Sequence, residues 1–123
     1  MGDYCPACSY TFSEYQSETM RLAIYPDQGK NLIYPTLGLM GEAGEFCEKV
    51  KKIVRIAPTC SCHPEISDDQ AIELAKELGD VLWYVMAAAR EIGFTLDEIA
   101  QLNVSKLLAR KERGTLHGSG DNR

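Results

Sequence analysis

Long apolar runs are missing from this chain of 123 residues. No stretch approaches the ~18 residues that a membrane-spanning helix needs, and the first residues do not read as a secretory signal. A cytoplasmic protein with no membrane partner is therefore expected. Basic runs are missing too. Against 18 Asp and Glu there are only 13 Lys and Arg, giving a net charge of -5, which argues against a nucleic-acid ligand. Strand-like alternation, internal repeats and low-complexity tracts are also absent. The five cysteines, an odd number, fit a reducing compartment better than a secreted disulfide framework. A dinucleotide-binding loop is excluded as well. The run Gly38-Leu39-Met40-Gly41-Glu42-Ala43-Gly44 has the wrong glycine spacing, follows no strand, and carries an acid that would repel a pyrophosphate.

What is present is an ordinary globular composition, 45% hydrophobic and 25% charged, laid out with helical periodicity. The length suits one domain, 1–123, with a Cys-containing extension at 1–10 and a glycine-rich basic tail at 114–123. The expected fold is all-α. A first helix runs from about Thr11 to Ala23, opened by a Thr11/Glu14 capping box, with Phe12, Tyr15 and Leu22 on its apolar side. A loop punctuated by Pro26 and Gly29 continues to Pro35. The second helix extends from near Thr36 to about Ile56 with a core stripe of Leu39, Ala43, Phe46, Val50 and Ile53, and Cys47 near the core side. A break at Pro58 to Pro64 precedes a Ser67/Gln70 capping box and a third helix that Gly93 stops after Ile92. The fourth opens with Thr95/Glu98 and ends by about Arg113, with Ile99, Leu102, Leu107 and Leu108 assigned inward. The third helix is apolar on more than half its circumference, more than one small bundle covers. A homodimer or homotetramer is therefore expected.

Two acid pairs stand inside these apolar helices: Glu42-Ala43-Gly44-Glu45 and Glu77-Leu78-Gly79-Asp80. A spacing of three puts both carboxylates of a pair on one helix face. Glu73, Glu77, Asp80 and Tyr84 fall within about 60° of one another on the third helix. Such pairs also arise by chance, so the count decides nothing; the surroundings do. Gly41, Gly44 and Gly79 lie beside the acids, and each costs a helix about 1 kcal/mol relative to alanine. Close approach of another backbone or of a ligand is the usual offset. Two readings stay open: a solvated acidic face, or four carboxylates converging on a divalent cation that removes their repulsion.

Carboxylate oxygens suit magnesium, or manganese, which bind through a few carboxylates plus substrate phosphates. Basic groups come on a separate element: Lys106, Arg110 and Arg113 on the fourth helix, with Asn103 on the same side, and Arg123 in the tail. Acids holding a cation and bases holding phosphate oxygens make a phosphoryl-transfer arrangement, with water as nucleophile and one carboxylate as base. The bland alternative for Lys106 and Arg110 is a solvated face near a helix C-terminus. Tyr84 lies on the acidic stripe, within reach of a phosphate or sugar. Trp83 suits core or interface packing better than base stacking; Gln16 and Tyr34 are the other base-pocket candidates by position. Cys5, Cys8, Cys60 and Cys62 supply enough thiolates for a structural zinc, with His63 adjacent. The second pair is one residue too tight for the common geometry, and independent thiols are the better reading.

The segment from Leu37 to Glu45, followed by Lys49 and Lys52, resembles the opening motif of the MazG-like, all-α NTP pyrophosphohydrolases. Glu77-Leu78-Gly79-Asp80-Val81-Leu82-Trp83-Tyr84 resembles their second acidic motif, and Asn103-Val104-Ser105-Lys106-Leu107 with Arg110 and the Gly118 to Arg123 end is similar to the basic C-terminus of one branch. The resemblance implies a four-helix MazG-like bundle completed by homo-oligomerisation. It also implies magnesium-dependent hydrolysis of a (d)NTP to the (d)NMP and pyrophosphate, for clearing unwanted nucleotides. Carried over, Glu42, Glu45, Glu77 and Asp80 become metal ligands and catalytic groups. Lys49, Tyr84, Asn103, Lys106, Arg110 and Arg123 become substrate contacts. The cysteine-rich segments are not part of the shared motif. The competing reading is a helical nucleotide-binding or interaction module without turnover; a third is a metal-dependent phosphohydrolase of different bond choice.

Overall fold

Thr11, Ser67 and Thr95 each accept the amide of the residue three positions on, and Glu14, Gln70 and Glu98 each reach back to the cap amide. These local closures start three of the four helices in the computed structural model, which describes residues 9–57 and 64–115. The helices are α1 (Phe12–Met20), α2 (Ile33–Ile56), α3 (Asp68–Glu91) and α4 (Leu96–Glu112), with no strand among the described residues. No helix among them is long and apolar enough to cross a membrane. Cys5, Cys8, Cys60, Cys62, His63 and Arg123 lie outside the described residues.

Two boundaries differ from expectation. Helix α1 ends at Met20 instead of Ala23, and α2 begins at Ile33, so that Pro35 sits in its first turn and is buried. A proline there sacrifices only an amide that has no intrahelical partner in any case. Asn31 completes the start by accepting the Tyr34 amide at 3.1 Å. Gly93, at φ 81°, stops α3 as expected. The Phe94 amide bonds back to Ala89 and the Gly93 amide to Arg90, and only the left-handed turn at glycine permits this pair of bonds.

Helices α2 and α3 make the main packing, and α1 packs on α3 and α4. Contacts descend along α2 as they ascend along α3, Lys49 with Glu73 and Gly38 with Tyr84, so the two run antiparallel. Ile53, Leu74, Met86, Ala87, Ala89 and Leu96 are buried around them, with Tyr25 from the α1–α2 connection. Gln16 accepts the Leu96 amide at 3.0 Å and Ser13 donates to Asp97 at 2.6 Å, which pins α1 to the start of α4. That use of Gln16 takes it away from a base pocket.

Much apolar surface stays uncovered. Leu102, Leu107 and Leu108 on α4 are exposed, which corrects their inward assignment. Leucines are spread round that helix, and one neighbouring face cannot bury them all. Cys47 is also exposed. It shares an outer stripe of α2 with Ile33, Leu37, Met40 and Gly44, whereas Ile53 and Pro35 define the inner one. An added methyl at Gly41, Gly44 or Gly79 would meet nothing within 4 Å among the described residues, so no described backbone accounts for these glycines. The close approach occurs at Gly38 instead.

Candidate metal centre

Antiparallel packing brings the two acid pairs together from opposite sides. Glu42, Glu45 and Glu77 each place a carboxylate oxygen within 4.8 Å of the others. Glu77 is buried, at 8% exposure, while Glu42 is half-buried and Glu45 lies at the open edge. Asp80 does not join this group of three. It stands one turn along α3 on the same face, lining a cavity together with Glu42. Loss of hydration, then the charges of Asp80, Glu45 and Glu77, lift the Glu42 carboxyl above its ordinary value.

One cation from this chain already answers that charge. The Lys49 ammonium lies 2.7 Å from Glu77 and 3.1 Å from Glu73, and these bonds hold its pKa above the ordinary lysine value. Glu73 is held low, first by Lys76 at 2.6 Å and then by Lys49. Lys49 thus sits against the acids rather than apart from them. The Lys49 ammonium does not by itself balance the trio and Asp80. The remaining donors are all carboxylate oxygens, the set that magnesium and manganese take, and the residues present fit such an ion.

Beside the acids, the cavity of about 330 Å³ is walled by aromatic rings. Tyr25 stacks on Tyr34 at 5.2 Å with planes 9° apart, and its ring meets Trp83 edge-on at 6.3 Å. Trp83 in turn meets Tyr84 edge-on at 4.9 Å. The Tyr84 ring occupies the place of a side chain at Gly38: a methyl built there would lie 2.1 Å from Cε1 and 2.3 Å from Cζ. Glycine therefore lets the ring lie flat against α2. Burial, then Tyr34 and the charge of Glu42, raises the Tyr84 pKa above the usual tyrosine value. Leu22 and Ile24 complete the mouth. One end of the cavity is thus anionic and the other aromatic, separated by a single turn of α3.

Of the residues singled out from sequence, Glu42, Asp80, Tyr84, Tyr34 and Trp83 line this cavity, and Lys49 meets the acids from the far side. Asn103 and Lys106 are exposed on α4, while Arg110 is buried at 4% exposure. Among the described residues α4 packs on α1 and α3 and not on α2, so these three are not brought to the acid trio by α2–α3 packing. Gly38, Tyr25 and Glu91 were not picked out. A glycine four residues before the first acid, on its face of the helix, was the one available signal for the Tyr84 seat.

The MazG nucleotide pyrophosphohydrolase domain matches residues 34–115, which span both acid pairs and α4. The chain is also 43% identical over 114 residues to the Gene 37 protein of Mycobacterium phage L5, covering 89% of this chain and 96% of that protein. No solved structure matches it.

Proposed function

This chain belongs to the MazG nucleotide pyrophosphohydrolase family, and we propose that it hydrolyses nucleoside triphosphates, ribo or deoxy, to the monophosphate and pyrophosphate with magnesium, or manganese, as cofactor. The observation that carries the reading is the meeting of Glu42, Glu45 and Glu77 within 4.8 Å beside an aromatic-walled cavity. Bound there, a divalent cation supplies positive charge for phosphate oxygens and lowers the pKa of water. Glu42, Glu45 and Glu77 would hold that ion. Asp80, standing outside the trio, orients the attacking water and takes its proton. The water oxygen bonds to the α-phosphorus, and the bond from that phosphorus to the bridging oxygen breaks. Pyrophosphate leaves with the electron pair.

The aromatic end takes the base. Tyr25, Tyr34, Trp83 and Tyr84 offer ring faces and edges at the distance of one helical turn from the acids, which suits a nucleoside whose phosphates reach the ion. Lys49, Asn103, Lys106, Arg110 and Arg123 are proposed phosphate contacts; Lys49 stands beside Glu77, within the reach of its stem from a phosphate that the ion would hold. Because α4 does not pack on α2, we assign the α4 bases to a site completed by a second copy of the chain. The same assembly covers Leu37, Met40 and Leu107, which a lone protomer leaves in water. Clearing unwanted nucleotides is the role such an activity serves.

Pyrophosphate release from a panel of NTPs and dNTPs with magnesium tests the proposal. Wild type should release pyrophosphate from at least one member, and Asp80→Ala should abolish release with the helical circular dichroism unchanged. Orthophosphate in place of pyrophosphate, or undiminished turnover by Asp80→Ala, rejects it. A chain that binds nucleotide without any product is the interaction module instead.

A further inference from the structure

Residues 21–32, between α1 and α2, are tied to one carboxylate. Glu91, in the last turn of α3, accepts the Tyr25 hydroxyl at 2.5 Å and the Gly29 amide at 2.9 Å on Oε1, and the Asn31 amide at 2.9 Å on Oε2. Its neighbour Arg90 donates to Gln28 Oε1 at 3.1 Å. Inside the segment, Gln28 donates to the Ala23 carbonyl and Asn31 to the Pro26 carbonyl. Asp27 and Gly29 adopt φ of 55° and 86°. A non-glycine residue in the left-handed region is uncommon, and here the two bends aim two successive stretches of backbone at a single acid. Glu91 lies on the face of α3 that carries Glu77 and Tyr84, two turns beyond Tyr84.

The other side of this segment is a wall of the cavity. It supplies Leu22, Ile24 and Tyr25. Ile24 is 94% exposed and Leu22 71%, two aliphatic side chains held in water at the mouth of an otherwise aromatic recess. The Tyr25 ring is fixed at both ends, by its hydroxyl on Glu91 and by its face on Tyr34. Moving Glu91 would release the hydroxyl and both amides together, so the shape of the recess depends on this carboxylate. An acid that merely closed a loop would need no such arrangement on the far side.

We propose that Glu91 is a positioning residue for nucleobase selection, holding residues 21–32 as the wall against which the base of the nucleotide rests. The inference depends on the triphosphate reading of the site, and its test is chosen to be separable from that reading. Binding of the α,β-methylene triphosphates of adenosine, guanosine, cytidine and uridine is measured by calorimetry, which needs no turnover. Wild type should favour one base. In Glu91→Gln, whose amide cannot accept the bonds that both oxygens now take, the preferred analogue should bind about tenfold more weakly. The ratio between best and worst base should shrink severalfold, and the Gly29 and Asn31 amides should exchange faster. Tyr25→Phe keeps the ring and loses one bond, so it should move the base ratio in the same direction by less; it also guards against a Glu91→Gln chain that fails to fold. In turnover, KM should rise while kcat stays within about twofold. Wild-type binding without base preference, or a preference that survives both substitutions, overturns the inference. Base-selective binding lost in the variants, together with no pyrophosphate release by wild type, upholds it and rejects the proposed hydrolysis.

Discussion

Replacing Gly38 with alanine sets two effects of opposite sign against each other. Alanine in a helix interior is favoured over glycine by about 1 kcal/mol, so an unobstructed substitution would raise the melting temperature. At Gly38 the new methyl would stand 2.1, 2.3 and 2.5 Å from Cε1, Cζ and Cδ1 of Tyr84, where carbon atoms normally keep about 3.5–4.0 Å. The ring must retreat by more than about 1 Å. It has little room, with Trp83 edge-on at 4.9 Å. Overpacking of this kind costs about 1–3 kcal/mol, which outweighs the helix gain and leaves a net loss of about 1 kcal/mol. Thermal unfolding should show a melting temperature lower by a few degrees, and nucleotide binding should weaken because the displaced ring enters the cavity. A variant that melts above wild type and binds equally well would show that Tyr84 does not rest on the glycine.

Lys49→Met removes the ammonium from Glu77 and Glu73 and should destabilise the metal-free protein, because the buried Glu77 carboxylate loses its nearest cation. Magnesium should restore more stability to this variant than to wild type; equal magnesium responses in thermal unfolding would contradict the shared-charge reading. Burial, then the bond to Glu91, pushes the Tyr25 hydroxyl up to about 12. A raised folded pKa favours the protonated form, so its stabilisation is full below pH 10 and is lost as pH climbs to about 12; Tyr25→Phe should flatten that alkaline limb of a urea-unfolding series. Glu91 is held below its ordinary value, by Tyr25 first and then by the Gly29 amide. Its contribution is present above the unfolded carboxylate pKa and is lost as pH falls through the lower folded one. Glu91→Gln should therefore lose less stability than wild type over the same acid range.

What was legible in the sequence was what neighbours in sequence determine. The boxes at Thr11, Ser67 and Thr95 close within three residues, and Gly93 ends α3 through bonds to the turn just before it. Each acid pair was legible for the same reason, since helix geometry alone puts its members on one face. The register between α2 and α3 was not. It depends on which residues interdigitate, and it brings Glu42 and Glu45 to Glu77, with Asp80 one turn along α3 and lining a cavity with Glu42. Glycine content alone did not tell which glycine meets the chain itself: among the described residues Gly41, Gly44 and Gly79 face open space, and Gly38 takes a ring from 46 residues away. The Glu91 tether spans separations of 60 to 66 residues and has no local signature. The leucines of α4 follow no single stripe, so an inward assignment from spacing had little to rest on.

Convergence of the α2 and α3 carboxylates on one hard cation is tested most directly by titrating manganese into the protein and following the free ion by electron paramagnetic resonance. Wild type should bind it saturably. Glu42→Gln combined with Glu45→Gln should weaken binding by about tenfold or more, with unchanged helical circular dichroism. Equal manganese affinity in the two proteins contradicts a shared site between the helices.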